Sequence, residues 1–209
     1  MKRFHLCLIV AASVFAGPPT SVAQTVIPSG LGLGGTIGAT TVSPEIDARE
    51  WGIQYEGYLR YALASGLQVV GGVGYSLTDI DQEGIDEKRS TLSLFIDPRF
   101  ALRPAASRFT PYIGGRIAYA HHSLKTPFLG LGVLTRSANG WMLGGALGVL
   151  ARFSQQAAFE ANLTTGFAPF GDYEINDEIV EGTSSSDYFG SLRVGLIYSF
   201  SGKKRKPEQ

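Results

Sequence analysis

The most constraining feature of this chain is a run in which every second residue from Trp51 to Leu63 is apolar or glycine. The residues between them include Gln54, Glu56 and Arg60. Because successive side chains of a β-strand point to opposite faces, the run predicts a strand with one apolar and one polar face. It is longer than a typical soluble strand of about 5–6 residues. A tilted strand of about 9–11 residues is long enough to cross a bilayer.

The same alternation recurs in eight segments along the chain. They cover 30–41, 50–63, 67–78, 89–102, 109–122, 139–152, 157–168 and 187–200. The connections alternate between short ones and long ones, the long ones being 42–49, 79–88, 123–138 and 170–186. Short periplasmic turns and longer extracellular loops are the layout of an outer-membrane barrel. The sequence therefore predicts an all-β fold: an eight-stranded antiparallel up-and-down transmembrane β-barrel with both termini in the periplasm.

The aromatic residues on the apolar faces support this layout because they divide into two groups. Those beside the long loops are Trp51, Tyr75, Tyr119, Trp141, Phe167 and Tyr188. Those beside the short turns or the C-terminal end are Tyr61, Phe100, Phe109, Phe153, Tyr198 and Phe200. Amphipathic rings prefer the headgroup level on each side of a bilayer. The two groups predict two aromatic belts around a lipid-facing band.

The first 23 residues predict a cleaved signal peptide. Lys2 and Arg3 precede an apolar stretch at 4–16, and small residues at 21–23 mark a cleavage site. The apolar stretch is shorter than the roughly 20 residues of a spanning helix, which disfavours a membrane anchor. The only cysteine, Cys7, lies inside this segment, so the mature chain is expected to have no disulfide or thiolate metal site. We expect a signal peptide at 1–23, a barrel domain at 24–200 and a basic periplasmic tail at 201–209.

The polar faces of the predicted strands should meet inside the barrel. Their charged members are Glu56, Arg60, Asp97, Arg99, Arg116, Glu160 and Arg193. Opposite charges buried in a narrow interior are expected to pair, because burying one alone costs several kcal/mol. An eight-stranded barrel is just wide enough for side chains to fill it. A structural plug of salt bridges is therefore favoured, with a rearranging gate as the alternative.

The predicted loops give weaker signals. The second and fourth long loops are acidic and suggest a solvated extracellular rim, and the stretch 79–84 lacks the full ligand pattern of a calcium loop, so no metal site is predicted. The stretch 126–134 in the third loop is apolar, and it would either contact a partner or the outer leaflet, or fold over the barrel mouth. The basic run 203–206 would either touch anionic headgroups or remain solvated.

The signal peptide, the alternating segments and the C-terminal strand Leu192 to Phe200 resemble the OmpA-like and opacity-porin-like small outer-membrane β-barrels. The resemblance covers residues 30–200 and carries no catalytic motif. It implies a monomer in the outer membrane of a Gram-negative cell, in contact with membrane lipid and lipopolysaccharide. It also implies that the barrel-assembly machinery recognises the terminal aromatics Tyr198 and Phe200. The chain departs from the pattern because it continues beyond Phe200 to Gln209.

The function expected from these observations is non-enzymatic: envelope integrity, or adhesion to an extracellular ligand through the loops. No cofactor is expected, and the mature chain, with 16 basic and 18 acidic residues after loss of Lys2 and Arg3, gives no reason to expect nucleic-acid binding. A small porin-like channel is the first alternative.

A lipid A-modifying enzyme is a lesser alternative. His121 and Ser123 resemble the His-x-Ser of outer-membrane lipid A deacylases, yet no carboxylate follows to orient the histidine until Glu160, which is predicted to face the lumen. A soluble lipocalin-type barrel is a third alternative, although such barrels place apolar side chains inside.

Overall fold

The structure, a computed structural model, describes residues 30–43, 51–63, 66–82, 85–102, 108–128, 132–175 and 178–200, with the backbone alone at 43, 80–82, 85–86 and 128. The predicted signal peptide and the basic tail lie outside these residues. Within the described ranges, no helix is long and apolar enough to cross a membrane.

The described chain forms ten antiparallel strands. They are β1 (Gly30–Ser43), β2 (Gly52–Ala62), β3 (Leu67–Gln82), β4 (Ile85–Ala101), β5 (Phe109–Phe128), β6 (Gly132–Arg152), β7 (Ala157–Phe170), β8 (Tyr173–Ile175), β9 (Glu178–Val180) and β10 (Ser185–Ser199). The eight long strands pair with their sequence neighbours, β7 pairs with β10, and β1 pairs with both β2 and β10. This closes the sheet on itself, and the predicted eight-stranded antiparallel barrel is confirmed.

The strands extend further on the long-loop side than the alternation predicted. The pairing of β3 with β4 continues to Gln82 opposite Ile85, and that of β5 with β6 to Phe128 opposite Gly132. The region predicted as a loop at 170–186 contains β8 and β9, and β8 pairs with β6. The prediction ended too early because the lipid-facing apolar period stops at the membrane, whereas backbone hydrogen bonding continues beyond it. We call these parts, 79–82, 85–90, 121–128, 132–139, 173–175 and 178–180, the extracellular wall.

At the opposite end of the barrel the strands follow one another after short connections, of which 64–65 and 103–107 lie outside the described residues. Between β2 and β3 the amide of Leu63 donates to the carbonyl of Leu67 at 2.8 Å. Gly66 in this turn has a φ of 87°, a conformation that residues with a side chain rarely adopt. Such a turn explains why the two strands follow each other with only a few residues between them.

The barrel has an apolar exterior and an interior in which buried charged and polar side chains lie beside apolar ones such as Phe95 and Leu150. The outward side chains of the long strands are mainly Leu, Val, Ile and aromatic residues, and Leu94 on β4 is 64% exposed. On the same strand, the inward-pointing Asp97 and Arg99 are buried. This arrangement is the reverse of a soluble fold and is the one expected in lipid. It excludes the apolar interior that the lipocalin-type alternative requires.

The aromatic residues lie on the outer surface at both ends of the apolar band. About half of the side-chain surface is exposed in Trp51, Tyr61, Tyr75, Phe100, Tyr119, Trp141, Phe167, Tyr188, Tyr198 and Phe200. Phe109 is only partly exposed and has the guanidinium of Arg108 over its ring at 6.0 Å. Tyr119 and Trp141 meet edge to face at 5.4 Å across β5 and β6, as do Tyr198 and Phe200 at 5.6 Å.

Candidate functional site

The interior of the barrel gathers the charged residues that the sequence predicted to face the lumen. All seven point inward and are at most 7% exposed. Six of them form ion pairs with one another: Glu56, Asp97, Glu160, Arg99, Arg116 and Arg193. The seventh, Arg60, lies nearer the short-turn end, and within the described residues it forms no ion pair with a carboxylate.

Arg116 on β5 bridges two carboxylates. Its guanidinium donates to both oxygens of Asp97, at 2.9 and 2.8 Å, and to both oxygens of Glu56, at 2.6 and 3.2 Å. The guanidinium carbon also lies 4.1 Å from the ring centre of Phe95. The planar guanidinium, with five N–H donors, can hold two carboxylates in this way, whereas a lysine ammonium lacks the fork geometry.

Glu160 on β7 is shared by three donors. Its Oε1 accepts from Arg99 Nη1 at 2.7 Å and from the Tyr112 hydroxyl at 2.5 Å, and its Oε2 accepts from the Tyr58 hydroxyl. The Arg99 guanidinium also lies over both tyrosine rings, 5.0 Å from that of Tyr112 and 5.7 Å from that of Tyr58. These contacts compensate the cost of removing a carboxylate and a guanidinium from water.

Arg193 on β10 connects the carboxylates to the neutral polar groups. It donates to Glu56 and, through Nη2, to Asn162 Oδ1 at 2.7 Å and Thr164 Oγ1 at 2.5 Å. The Asn162 amide in turn donates to the Tyr112 hydroxyl at 2.7 Å. The last strand of the barrel is thereby joined to β2, β5 and β7 through side chains alone.

Together these contacts form a closed circuit across the lumen, which we call the lumenal ring. Arg99 Nη2 closes it by donating to Asp97 Oδ2 at 3.3 Å. In order around the circuit, the ring consists of Glu160, Arg99, Asp97, Arg116, Glu56, Arg193, Asn162 and Tyr112. Its members come from β2, β4, β5, β7 and β10, so the ring crosses the interior instead of following neighbouring strands.

Two tyrosines in the lumen were not assigned a role from the sequence. Tyr58 and Tyr112 both point inward, and each lies opposite an inward-facing glycine on the next strand: Gly34 faces Tyr58 and Gly148 faces Tyr112. A Cβ at either glycine would collide with the tyrosine ring. A tyrosine predicted to point inward, opposite a glycine that also points inward, therefore indicates that the aromatic ring of the tyrosine lies across the lumen. This signal is available from the sequence.

Between the lumenal ring and the extracellular mouth lies a small cavity of about 20 Å³ with a mixed lining that also includes Met142 and Phe189. Its lining includes Gln54, Ser93, Arg116 and Ser191. A cavity needs about 10–15 Å³ to hold a water molecule, so this one has room for a single water.

On the outer surface, above the Tyr119 and Trp141 pair, His121 has a hydrogen-bond partner that the sequence did not predict. His121 Nδ1 lies 3.0 Å from Asn139 Oδ1 on β6. The strand register places the two residues directly opposite each other, which the separation of 18 residues in sequence did not reveal. In the described structure, His121 makes no hydrogen bond to Ser123.

The acidic residues of the predicted loops are spread over the extracellular wall. Asp79, Glu174, Glu178 and Glu181 are exposed, and Glu87 accepts a hydrogen bond from Thr126 Oγ1 at 2.7 Å. The side chains of the remaining acidic residues of the second loop lie outside the described part. Where side chains are described, His, Cys, Asp and Glu are nowhere grouped in threes as a metal site requires.

The apolar stretch at 126–134 continues as strand on both sides of its tip. Val133 on β6 is 62% exposed, and the tip at 129–131 lies outside the described residues. Both the partner-contact and the mouth-covering alternatives therefore stay predictions.

The fold is similar to solved outer-membrane barrels. Neisserial surface protein A is 17% identical, with 82% of this chain and 98% of that chain covered and a TM-score of 0.57. Ail, the attachment invasion locus protein of Yersinia pestis, is 12% identical, with 81% and 99% covered and a TM-score of 0.51. The outer membrane protein OprG of Pseudomonas aeruginosa is 14% identical, with 85% and 99% covered and a TM-score of 0.52. The chain therefore has the fold of the small outer-membrane β-barrels.

No protein-family model matches the sequence, and no curated protein matches it either. The likeness to the solved barrels consequently establishes architecture, while activity has to be argued from this chain's own residues.

Proposed function

We propose that this chain is an integral, non-enzymatic protein of a Gram-negative outer membrane, with a structural and adhesive surface role. The observation that carries the proposal is a lumen filled by the lumenal ring beneath an extracellular wall of paired strands. A filled lumen leaves the wall as the part of the molecule that is available to a partner. The same proposal includes export by a signal peptide and contact with membrane lipid and lipopolysaccharide. It also includes recognition of Tyr198 and Phe200 by the barrel-assembly machinery.

The wall has the properties of a contact surface. Val133 on β6 and Ile179 on β9 are 62% and 66% exposed, although both lie beyond the aromatic belt in the aqueous region. Within the wall β5 pairs with β6, and β8 pairs with both β6 and β9. Exposed apolar side chains on a polar-rimmed surface are typical of protein-binding sites. The name of Ail, an attachment protein with the same fold, supports an adhesive role.

The charge of the wall suggests the chemistry of the partner. Ail has been solved with a heparin analogue, sucrose octasulfate, which is polyanionic. In the present chain β8 and β9 carry the exposed Glu174 and Glu178, and Glu181 follows them. Because like charges repel, we expect the part of a partner that contacts β8 and β9 to present cationic or neutral groups and not a sulfated glycan. The exposed Lys88, Lys125 and Arg136 give the wall formed by β4, β5 and β6 positive charge as well.

The adhesive role can be tested by exchanging residues 126–134 for an Asn-Gly turn that joins the paired residues Lys125 and Thr135. Bacteria displaying this variant should bind cultured epithelial cells at least about tenfold less than bacteria displaying the parent chain, because interface hot spots contribute about 2 kcal/mol or more. Binding of bacteria that display the parent chain to beads coated with polylysine or with heparin tests which charge the partner is expected to carry.

The matched control removes nine residues from the other end of the molecule, the tail at 201–209. It should leave binding unchanged. Heat-modifiable gel mobility shows whether each barrel is folded. Equal binding by the exchanged and parent chains, with both barrels folded, would show that the end of the β5–β6 hairpin is not the adhesive surface.

A small channel is the first alternative, and the lumenal ring argues against it. The ring crosses the lumen and the cavity above it holds only about one water. We expect the refolded protein to show no single-channel conductance in planar bilayers at any voltage. A variant with both Tyr58 and Tyr112 replaced by alanine, which removes the two rings beside Glu160, provides the positive comparison. Steady conductance by the parent chain would contradict the proposal that the lumenal ring blocks the lumen.

The lipid A-modifying enzyme is the lesser alternative. Asn139 supplies the orienting group that the sequence lacked, which is the one observation in its favour. The non-enzymatic assignment rests on the missing contact between His121 and Ser123 among the described residues, because a serine nucleophile is activated by a hydrogen bond to its base.

A further inference from the structure

The outer face of the extracellular wall carries two lysines that lie directly opposite each other. Lys88 on β4 pairs with Lys125 on β5, and both side chains are exposed. Lys125 continues the outward series of β5, since the alternate positions His122 and Thr126 are buried. Like charges at directly opposite positions destabilise an antiparallel pair, and the Cβ atoms of such a pair are about 5 Å apart. One anion that contacts both ammonium groups would remove this repulsion.

Rows of uncharged polar side chains separate the lysines from the aromatic belt. From the lysines toward the membrane, the opposed side chains are Ser90, Ser123 and Ser137, then His121 and Asn139, and then Tyr119 and Trp141. Serine hydroxyls and the asparagine amide both donate and accept hydrogen bonds, as the hydroxyl groups of a sugar do. The face is therefore suited to sugars just above the belt and to an anion at its upper end.

The height of the lysines above the membrane indicates what lies beside them. Lys125 is six residues beyond the belt residue Tyr119 on the same strand. At about 3.4 Å per residue and a tilt of about 40°, the Cα of Lys125 lies roughly 15 Å above that of Tyr119. The polar headgroup layer of a phospholipid leaflet is only about 5–8 Å thick. Outward side chains at this height therefore point sideways above that layer, where the sugars of an outer-leaflet glycolipid would lie.

Acidic side chains border the lysine pair on both sides. Asp79 on β3 is exposed and lies opposite Lys88. Glu174 on β8 is exposed and lies at the end of the serine row. Lys125 has the uncharged Thr135 as its neighbour on β6. The positive charge of this outer face is therefore confined to β4 and β5, which suits one anionic group and not a polyanion spread over the wall.

We propose that Lys88 and Lys125 together bind one phosphate or carboxylate group on the inner-core sugars of a neighbouring lipopolysaccharide. The serine row below them contacts the hydroxyl groups of the same sugars. The proposal rests on the outer-membrane location in the proposed function, and it names the part of the wall that meets lipopolysaccharide. A partner from another cell is then left with the end of the β5–β6 hairpin and with the acidic β8 and β9.

The test measures binding of lipopolysaccharide by the refolded full chain in nonionic detergent with EDTA, so that no divalent cation bridges the two. Tryptophan fluorescence reports binding, since Trp141 lies on the same face. The dissociation constant should be about tenfold lower for lipopolysaccharide that retains its inner core than for lipid A alone, because each of two exposed ion pairs changes an equilibrium by about threefold. Replacing both lysines, Lys88→Gln with Lys125→Gln, should remove this difference.

The matched control removes two exposed positive charges from other places, Arg108→Gln at the short-turn end with Arg136→Gln on β6. It should bind lipopolysaccharide as tightly as the parent chain, and heat-modifiable gel mobility shows that each variant is folded. Equal affinity of the parent chain and the lysine double variant, equal affinity for lipopolysaccharide and lipid A, or the same fluorescence change with inorganic phosphate alone would each overturn the proposal.

These failures are distinct from a failure of the proposed function. A chain that fractionates with the outer membrane but fails the binding test retains the proposed function and loses only this site. Recovery of the chain from the soluble periplasm would contradict the proposed function itself.

Discussion

Replacement of Glu160 by alanine should lower the free energy of unfolding by about 3–5 kcal/mol, the cost of breaking a buried ion pair from one side. The variant leaves the Arg99 guanidinium with only the longer contact to Asp97, and it removes the acceptor of the Tyr58 and Tyr112 hydroxyls. The measurement is equilibrium urea unfolding in lipid vesicles, followed by the gel shift between folded and unfolded forms.

Two further variants separate charge from packing in this experiment. Glu160→Gln retains an acceptor for the tyrosines and should lose less stability than the alanine variant. Glu174→Ala removes an exposed carboxylate from the extracellular wall and should change stability by no more than about 0.5 kcal/mol. If Glu160→Ala also stays within about 0.5 kcal/mol of the parent chain, the lumenal ring does not stabilise the barrel.

The second large effect is expected on the outer surface, where Leu94→Arg should destabilise the folded barrel in lipid by about 1–3 kcal/mol, below the midplane cost because Leu94 pairs with Tyr119 of the aromatic belt. Leu94 points outward from the lipid-facing part of β4, where it pairs with Val73 and Tyr119, and is 64% exposed. If its surroundings are lipid, the new guanidinium loses its hydration. If its surroundings were water, the same substitution would be almost neutral.

Val133→Arg is the matched control for this prediction. Val133 is exposed to nearly the same extent, 62%, but lies in the extracellular wall beyond the aromatic belt. It should tolerate arginine with little change, since its surroundings are aqueous. Similar stabilities for the two variants in lipid vesicles would contradict the placement of Leu94 within the bilayer and of Val133 outside it.

The period-two pattern predicted the barrel because each lipid-facing strand is constrained on both faces at once. In β2 it placed Tyr61 outward and Glu56 inward, as the structure has them. Above the membrane this constraint weakens, because the outer face of a strand meets water instead of lipid and its side chains no longer need to be apolar. The pattern therefore contained no information on how far β5 and β6 continue, or on the existence of β8 and β9.

The contacts inside the lumen were harder to predict than the faces. Alternation tells which side chains point inward but not which of them lie at the same height, because that depends on the stagger between strands. Glu160 and Arg99 meet although 61 residues separate them in sequence. Arg60, by contrast, faces inward like the other arginines and meets no carboxylate in the described structure.

The composition of the lumenal ring has a consequence for how the barrel is assembled. Arg193 belongs to β10, the last strand to be made, and β10 closes the barrel by pairing with β1. Until β10 pairs with β1, Glu56 lacks one of its two arginine partners, Arg193. The interior is then still an open, hydrated groove. The pairing of β10 with β1 and the loss of water from the lumen therefore occur together, and the lumenal ring stabilises the closed barrel. A half-closed barrel keeps its charges in water, and a closed one has to break the buried ion pair between Arg193 and Glu56 before β10 can leave its seam with β1.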